Sequence, residues 1–521
     1  MSAKFPEYKG LNLPNVAKEM LEYWAENNIF EKSVTTREGN KPFVFFEGPP
    51  SANGLPGVHH VLARAIKDIF PRYKTMKGFQ VKRKAGWDTH GLPIELGVEK
   101  ELGITKEDIG KTISVEEYNA ACRKAVMRYT DIWNDLTQKM GYWVNMDDPY
   151  VTYEPKYMES VWWLLKQIYE KNLMYKGYTI QPYSPKAGTG LSSHELNQPG
   201  TYQDVTDTTV VAQFKAINET LPNFLQNEGE LYFLAWTTTP WTLPSNTALT
   251  VGPKIEYVLV NTFNQYTFEP TKVVLAKKLV TKQFGGKNNI QVEHLEKLKE
   301  YNPGDKKIPF YIIKEFVGKD LVGIKYEQLL PYVLPNDNPQ DAFRVISGDF
   351  VTTEDGTGIV HTSPTFGADD ALVAKQAKPE IPPMLIKDEN DNLVPLVDLQ
   401  GKFVKELGEF GGKYVKNEYY KDGEAPEKSI DVELAIKLKE ENKAFKVEKY
   451  KHSYPNCWRT DKPILYYPLD SWFIKVTDVK ERMHELNKTI NWKPASTGEG
   501  RFGNWLANAN DWNLSRSRYW G

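Results

Sequence analysis

The stretch FVFFEGPPSANGLPGVHH, residues 43–60, joins an apolar run, a turn rich in glycine and proline, and the start of a helix. Residues 44–46 predict a buried central strand, because they are apolar and bounded by turn residues. Helical spacing follows in Val61, Leu62, Ala65, Ile66, Ile69 and Phe70. A second strand is predicted over 79–84, before GWDTHGLPIE at 86–95. The pattern is typical of a strand–helix–strand unit in a parallel sheet.

Ligands of such sheets bind beyond the carboxyl ends of the strands, so the turns at 48–60 and 86–95 should face one crevice. The first turn also leads into a helix N-terminus, which attracts phosphate. His59 and His60 lie at that end and could donate hydrogen bonds to an anion. The alternative is that the glycines and prolines only mark a loop.

The composition limits the class of protein. A chain of 521 residues predicts two to four domains, and a formal charge of −2 means that any site for a polyanion must be local. Two cysteines argue against a disulfide framework and favour a cytoplasmic location. Cys457 is followed by Thr460 where a CxxC motif needs cysteine, so no structural metal is expected. No apolar run of membrane-spanning length occurs in the sequence, and the segment Met1–Pro6 has no export signal.

The sequence pattern changes from mainly helical to mainly strand-like after Tyr178. Helices are predicted over 15–30, from 114 to about 140 and from 155 to about 173, with a capping box at Ser114 and Glu117. Short β-type runs then occur at 208–214, 231–236, 257–260, 272–276, 309–313 and 358–361, followed by a helix at 432–442 and strands within 452–473. The predicted organisation is α/β over residues 1–190 and 446–521, interrupted by a β-rich domain over residues 191–445.

Several strings together carry a family resemblance. They are GPPSANGLPGVHH, GWDTHGLPIE, WTTTPWTLPSN (236–246), GTGIVHTSPTFGADD (356–370), HSYPNCWR, SWFI (471–474) and DWNLSRSRYWG (511–521). The sequence resembles the class I aminoacyl-tRNA synthetases of the isoleucine/valine/leucine group, and YMESVWWLLKQIYEKNLMYKG resembles their eukaryote-like subtype. The resemblance implies a Rossmann-like nucleotide-binding domain, incomplete at its C-terminal side and interrupted by an inserted editing domain.

The family's ATP site contains an HxGH element, from which this chain departs. Aligned on Pro56, the four positions read Gly57, Val58, His59 and His60, so the second histidine is kept while the first histidine and the glycine have exchanged places. Either His59 replaces the missing donor or ATP depends more on His60. A disabled site is the less favoured alternative, because the other catalytic segments are intact.

By the same resemblance, Asp88 binds the α-ammonium group of the amino acid, and a carboxylate at a strand end suits that role. Gly48 and Pro49 would line the amino-acid pocket, with Trp472 and Trp512 as apolar walls. The alternatives are a helix N-cap for Asp88 and ordinary core packing for the tryptophans.

The presence of an inserted domain in this family has a physical explanation. Valine lacks one methylene of isoleucine, and a binding pocket gains only about 1–3 kcal/mol from that group, so accuracy needs a second hydrolytic site. The resemblance implies that this editing pocket is lined by Thr237, Thr238, Thr239, Asn246, His361 and Asp370. Asp370 would hold the α-ammonium of misattached valine, and water would attack the ester. Phe366 stands where bacterial relatives commonly have histidine.

The implied activity is ligation of isoleucine to tRNA(Ile) through an adenylate, with ATP and Mg2+, by a monomer. The family's KMSKS loop and anticodon-binding domain are absent from the sequence, so we expect an amino-terminal piece of a longer protein. The alternatives are an editing hydrolase without ligase activity, the valine enzyme, and a paralogue that only binds tRNA or adenylate.

Overall fold

The computed structural model describes residues 10–48 and 50–520, apart from the side chain of Ser193. The chain forms two compact units. The first unit comprises Met1–Tyr175, Ile474–Trp512 and Arg516–Gly521, and the second comprises Lys176–Phe473 and Asn513–Ser515. The units therefore divide after residues 175 and 473. The sequence predicted an inserted domain over residues 191–445, and these predicted limits stay a prediction. Within the described residues, no helix has both the length and the apolar character needed to cross a membrane.

The first unit begins with alternating helices and strands. They are α1 (Leu13–Glu26), α2 (Ile29–Thr35), β1 (Pro42–Phe46), α3 (Val58–Met76), β2 (Gln80–Trp87), α4 (Leu92–Leu102), α5 (Val115–Val126), α6 (Thr130–Lys139), β3 (Asn145–Val151) and α7 (Pro155–Glu170).

The predicted parallel sheet is confirmed, with the order β1-β2-β3 and parallel pairing at both interfaces. The prediction that Val44–Phe46 is a buried central strand is wrong. Strand β1 is an edge of this sheet, and the side chains of Val44 and Phe46 are 57% and 61% exposed. Strand β2 is the buried middle strand. The turns after β1 and β2 therefore lie side by side, as expected from the strand–helix–strand pattern.

Two of the predicted helices are each divided into two shorter helices. The helix predicted over 15–30 is broken into α1 and α2, because Asn28 adopts a left-handed backbone conformation with φ 52°. The long helix predicted from Ser114 is two helices, α5 and α6. Its capping box is confirmed, since Ser114 and Glu117 exchange hydrogen bonds at 3.1 and 3.0 Å. The apolar residues of α3 that have helical spacing include Leu62 and Ile69, which are exposed in this structure.

The second unit is rich in strands. They are β4 (Met174–Ser184), β5 (Thr189–Gly190), β6 (Tyr202–Lys215), β7 (Tyr232–Thr237), β8 (Ala248–Val251), β9 (Glu256–Phe263), β10 (Pro270–Ala276), β11 (Asn289–Gln291), β12 (Ile308–Val317), β13 (Arg344–Ser347), β14 (Ile359–Thr362), β15 (Leu385–Lys387), β16 (Leu393–Pro395), β17 (Ala444–Pro455) and β18 (Leu465–Ile474). Its α-helices are α8 (Ser193–Leu196), α9 (Val280–Phe284), α10 (Ala368–Gln376) and α11 (Ile430–Glu440).

A ten-stranded mixed sheet dominates this unit, with the path β11-β12-β9-β10-β7-β14-β8-β13 and with β6 pairing both β7 and β17. Each of the six β-type runs predicted from the sequence coincides with a strand, and α11 matches the helix predicted at 432–442. The core on one side of the sheet contains fully buried Phe214, Phe233 and Leu249. The short parallel pairing of β14 with β7 brings the ends of these two strands together, and the predicted editing residues lie there.

After the second unit the chain forms α12 (Lys480–Asn487), α13 (Gly503–Ala507) and β19 (Trp512–Asn513). The last described residues return to the first unit's own helix α4. Buried Glu95 accepts the backbone N–H groups of Tyr519 and Trp520 at 2.8 and 2.9 Å. The Arg518 guanidinium lies 3.6 Å from the same carboxylate. Residues 518–520 thereby complete the packing around α4.

Candidate functional site

A cavity of about 380 Å3 in the second unit brings together most of the predicted editing residues. Its lining includes Thr237, Thr238, Thr239, His361 and Asp370. Strand β7 and the turn after it carry the threonines, β14 carries the histidine, and α10 carries the aspartate. Residues more than 100 positions apart in the sequence are therefore neighbours here, because β7 and β14 pair in the sheet.

Asn246 lies behind the cavity and fixes the proton on His361. The side-chain amide of Asn246 donates to the carbonyl of Ala248 at 2.8 Å, which identifies its nitrogen, and the same nitrogen donates to Nδ1 of His361 at 2.8 Å. Nδ1 is therefore an acceptor, and the proton of the neutral imidazole is on Nε2. Burial lowers the pKa of His361 to about 3, so this neutral form is the one present at pH 7.

The Nε2 proton of His361 is also engaged, because Nε2 lies 3.0 Å from Oγ1 of Thr242. The Thr242 hydroxyl donates in turn to the carbonyl of Thr239 at 2.8 Å. Within the threonine cluster, the N–H of Thr239 donates to Oγ1 of Thr237 at 3.1 Å. Both nitrogens of His361 are occupied, so the imidazole orients the threonine turn and has no free lone pair to act as a base.

Tyr326 extends this hydrogen-bond chain and was not found from the sequence. Its hydroxyl donates to Oδ1 of Asn246 at 2.6 Å, and its side chain is almost fully buried. Burial raises the pKa of this hydroxyl well above its ordinary value, so it remains a donor. No motif marks a tyrosine placed by an isolated β-bridge to Ala216, so the sequence carried no signal for it.

Asp370 occupies the first turn of α10. Its Oδ2 accepts the backbone N–H of Ser363 at 2.9 Å. Desolvation of the carboxyl group, with a contribution from neighbouring Asp369, raises the pKa of Asp370 to about 7 despite that hydrogen bond. Among the residues that the structure describes, no cationic side chain pairs with Asp370, and a ligand ammonium group would supply such a partner.

Three neighbours shape the space around Asp370. A Cβ atom at Gly367 would lie 2.6 Å from Oδ2 of Asp370, so glycine is needed for the observed carboxylate position. The buried hydroxyl of Ser363 lines the cavity and has no hydrogen-bond partner among the described residues. Phe366 also lines the cavity and packs edge-on against Trp241, with ring centroids 5.2 Å apart. The wall at residue 366 is therefore apolar.

The first unit has its own cavity of about 430 Å3 at the turn after β1. Gly48, His60, Arg64 and Lys67 are among its lining residues. Buried Glu47 binds Lys67 directly, lies 3.6 Å from Nε of Arg64 and accepts the hydroxyl of Tyr142. The cavity thus has basic side chains whose positions are fixed by one buried carboxylate, an arrangement that fits a phosphate-bearing ligand such as ATP.

The hydrogen bond from Gly57 determines which ring nitrogen of His60 carries the proton. Nδ1 of His60 accepts the N–H of Gly57 at 2.9 Å, which leaves the proton of the neutral ring on Nε2. Burial lowers the pKa of His60, and the neighbouring His59 and Arg64 side chains add to this effect. The rings of His59 and His60 lie 3.8 Å apart. A Cβ at Gly57 would lie 2.8 Å from the His59 ring, so glycine at 57 and histidine at 59 are compatible with each other.

Asp88 lies beside the same turn. It forms a parallel bridge with Ser51, and its N–H donates to the carbonyl of Pro50 at 3.1 Å. The N-cap of α4 is Gly91, so the alternative interpretation of Asp88 as a helix cap is wrong. Pro49, the other residue predicted for the amino-acid pocket beside Gly48, lies outside the described residues.

The two tryptophans predicted as pocket walls are exposed, which removes core packing as the alternative. Trp472 lies on β18 in the second unit and is 45% exposed, and its backbone N–H donates to Oγ of Ser515 at 2.8 Å. Trp512 lies on β19, belongs to the first unit and is 60% exposed. Their assignment to an amino-acid pocket stays a prediction.

Comparisons with known proteins agree on one family. The family model described as tRNA synthetases class I (I, L, M and V) matches residues 19–521. An isoleucine–tRNA ligase of Bacteroides fragilis is 63% identical over all of this chain and 46% of its own length. An isoleucine–tRNA ligase of Cytophaga hutchinsonii is 64% identical over 98% of this chain and 46% of its own. A solved structure described as GlLeuRS-CP1 is 15% identical over 47% of this chain and all of its own, with a TM-score of 0.29, too low to support an argument.

The chain spans about half the length of the curated relatives it matches. These relatives are bacterial, and they give no support to the prediction of a eukaryote-like subtype. The family match covers nearly the whole sequence, and the parallel sheet, the turn at 48–60 and the β-rich second unit agree with it. The chain belongs to the class I tRNA synthetases of the isoleucine, leucine, methionine and valine group.

Proposed function

We propose that the protein to which this chain belongs ligates isoleucine to tRNA(Ile), and that its second unit hydrolyses valine misattached to that tRNA. The observation that carries the hydrolytic part is the convergence of Thr237, Thr239, His361 and Asp370 on one cavity. The 63% identity to an isoleucine–tRNA ligase over the whole chain supports the ligase part and favours isoleucine over valine.

The hydrolytic mechanism follows from the charges in the cavity. The Asp370 carboxylate binds the α-ammonium of the misattached amino acid and gains the cationic partner it otherwise lacks. The threonine hydroxyls orient the ester and the attacking water. A threonine nucleophile is not favoured, because both nitrogens of His361 are already engaged and a nucleophilic hydroxyl needs an adjacent base. Water adds to the ester carbonyl, and the terminal hydroxyl of tRNA leaves with a proton.

In the synthetic reaction, the isoleucine carboxylate attacks the α-phosphate of ATP–Mg2+ and pyrophosphate leaves. The Nε2–H of His60 would donate a hydrogen bond to a phosphate oxygen, with His59 and Gly57 shaping the approach of ATP. Asp88 would bind the ammonium group of isoleucine beside Gly48 and Pro49, with Trp472 and Trp512 as apolar walls. Catalysis of this kind depends on positioning and on stabilising phosphate charge.

The hydrolytic part is tested by deacylation of Val-tRNA(Ile) by the 521-residue chain. We expect slow but measurable hydrolysis that is lost in Asp370→Ala. Glu389→Ala is a matched control, because Glu389 is an exposed carboxylate of the same unit that pairs with Lys405 at 2.7 Å. Unchanged hydrolysis in Asp370→Ala would refute the assignment.

A second candidate is an editing hydrolase without ligase activity in the chain as it stands. It is favoured by the hydrolytic cavity lying wholly in the second unit, while the chain spans only 46% of the length of its relatives. ATP–pyrophosphate exchange with isoleucine should then be near zero for this chain. Robust exchange would reject this candidate and support the ligase.

We also propose that the protein acts as a cytoplasmic monomer that binds isoleucine, ATP and tRNA(Ile). The proposed domain limits remain 1–190, 191–445 and 446–521. Light scattering of the chain with and without tRNA(Ile) tests the oligomeric state, and a dimer at micromolar concentration would contradict it.

A further inference from the structure

The turn that carries the threonine cluster is held from behind by a buried carboxylate. Trp241 lies in the 3-10 turn Pro240–Ser245, between Thr239 and Thr242. Its backbone N–H donates to Oδ1 of Asp431 at 3.0 Å. Asp431 lies in the first turn of α11 and is 4% exposed. The helix and the turn are separated by almost 200 residues in the sequence, so this contact sets where the turn lies.

The Asp431 carboxylate has a buried cationic neighbour. Nζ of Lys416 lies 3.9 Å from Oδ2 of Asp431 and 3.3 Å from Oδ2 of Asp207, over the ring of Tyr454. Burial disfavours the charged form of Lys416, but Asp431, Tyr454 and Asp207 outweigh it and raise the pKa of the lysine. Burying such a group costs several kcal/mol unless its partners are well placed. The contact between Asp431 and the Trp241 N–H is therefore part of a buried, charged cluster.

We propose that Asp431 is a positioning residue for hydrolysis: by binding the Trp241 N–H it fixes the turn, and so aims the Thr239 and Thr242 hydroxyls at the cavity. The link between turn and cavity is short. Thr242 donates to the Thr239 carbonyl and lies 3.0 Å from Nε2 of His361. A shift of the turn by about 1 Å would misplace both hydroxyls, and errors of that size cost about 100-fold in rate. The inference rests on the proposed editing function.

The test uses Val-tRNA(Ile) deacylation by the 521-residue chain under single-turnover conditions. Asp431→Ala should lower the maximal rate at least 30-fold, with the half-saturating enzyme concentration changed less than about 2-fold. Asp431→Asn keeps an oxygen acceptor of the same shape and should remain within about 5-fold of the parent. Asp431→Glu, which keeps the charge but moves the oxygen by one methylene, should lose about 10-fold.

Hydrogen exchange of the Trp241 amide reports the contact directly and needs no substrate. It should accelerate at least 10-fold in Asp431→Ala and stay close to the parent in Asp431→Asn. Glu433→Ala is the matched control on the same helix, because Glu433 is a partly buried carboxylate that pairs with Lys413 at 2.6 Å. This variant should leave both the rate and the Trp241 amide unchanged.

Three results would overturn the inference. The first is a deacylation rate in Asp431→Ala equal to that of the parent. The second, used if the alanine variant does not fold, is a parental rate in Asp431→Glu. The third is a loss of rate in Glu433→Ala as large as that in Asp431→Ala. A parent chain that does not deacylate Val-tRNA(Ile) would instead remove the proposed function, even if the Trp241 amide responds as expected. A parent that hydrolyses, with Asp370→Ala inactive and Asp431→Ala unaffected, would leave the function intact and reject only the role of Asp431.

Discussion

The side-chain amide of Asn246 donates to Nδ1 of His361 at 2.8 Å and so sets which nitrogen of the imidazole carries the proton. Asn246 can do this because Ala248 and Tyr326 fix its own orientation. The histidine then presents a donor, and not an acceptor, to Thr242. The threonine turn is therefore oriented by a chain of directed hydrogen bonds that begins at a buried tyrosine.

Replacing Asn246 should break that chain. In Asn246→Ala, His361 loses the donor to Nδ1 and Tyr326 loses its acceptor, so buried polar groups are left unsatisfied. We expect a loss of about 1–3 kcal/mol in the free energy of unfolding and at least a 10-fold slower deacylation. Chemical denaturation and single-turnover assays measure these effects. Asn336→Ala, at an exposed position of the same unit, is the control, and equal effects there would contradict the prediction.

Deacylation should depend on pH through Asp370. Binding of an ammonium group needs the carboxylate, and desolvation raises the pKa of Asp370 to about 7. After correction for spontaneous ester hydrolysis, the apparent second-order rate constant should therefore rise from pH 6 through the pKa of Asp370 and fall again where the α-ammonium of the substrate loses its proton, at about pH 8. Asp370→Asn should lower the rate and remove this step. A profile that is flat in the parent would show that Asp370 is already ionised at pH 6.

The same shift predicts an unusual stability effect. The native state holds a proton on Asp370 up to about pH 7, whereas an unfolded aspartate releases it near pH 4. The native state thus binds more protons between these values, and stability falls as pH rises through this window. At pH 8, Asp370→Asn should be more stable than the parent by about 1–3 kcal/mol. Denaturation at pH 4 and pH 8 tests this, and a destabilised variant at pH 8 would contradict it.

Gly367→Ala should reduce hydrolysis without replacing any residue of the proposed editing site. The added Cβ would lie 2.6 Å from Oδ2 of Asp370 and push the carboxylate from its position. The backbone of Gly367 is extended, with φ −129°, so alanine causes no backbone strain there. We expect a 10- to 100-fold loss of deacylation with the melting temperature nearly unchanged. Gly412→Ala, where no atom lies within 4 Å but φ is +78°, separates backbone strain from steric displacement.

The exchanged order of Gly57 and His59 should affect adenylate analogues more than ATP. A side chain at 57 meets the His59 ring, so Gly57→His alone should weaken binding of both ligands. The double variant Gly57→His with His59→Gly removes that collision. In the longer protein, we expect the double variant to bind ATP within about 3-fold of the parent while its affinity for an isoleucyl-adenylate analogue changes at least 10-fold. Equal affinities for the analogue would mean that the order is neutral.

The sequence predicted elements whose signals are local. The capping box at Ser114 and the strand run at 272–276 depend on neighbouring residues, and both are found where expected. It did not reveal Tyr326 or Asp431, because their roles arise from contacts with residues 80 and 190 positions away. The sequence also predicted wrongly that Val44 is buried. An apolar run predicts a strand, but it does not show whether that strand has a neighbour on both sides. Contacts between residues distant in the sequence, and not residue type, decided these cases.

The contacts of Glu95 have a consequence for the order in which parts of the chain fold during synthesis. Its carboxylate is buried, and one of its oxygens accepts the backbone N–H groups of residues 424 and 425 positions later in the chain. During synthesis, the second unit, which is almost complete at residue 473, can fold while Glu95 still lacks its partners. An unpaired buried carboxylate is costly, so the surroundings of α4 should remain open until the ribosome has released Trp520. The first-made helices would then be among the last parts of the chain to reach their final packing.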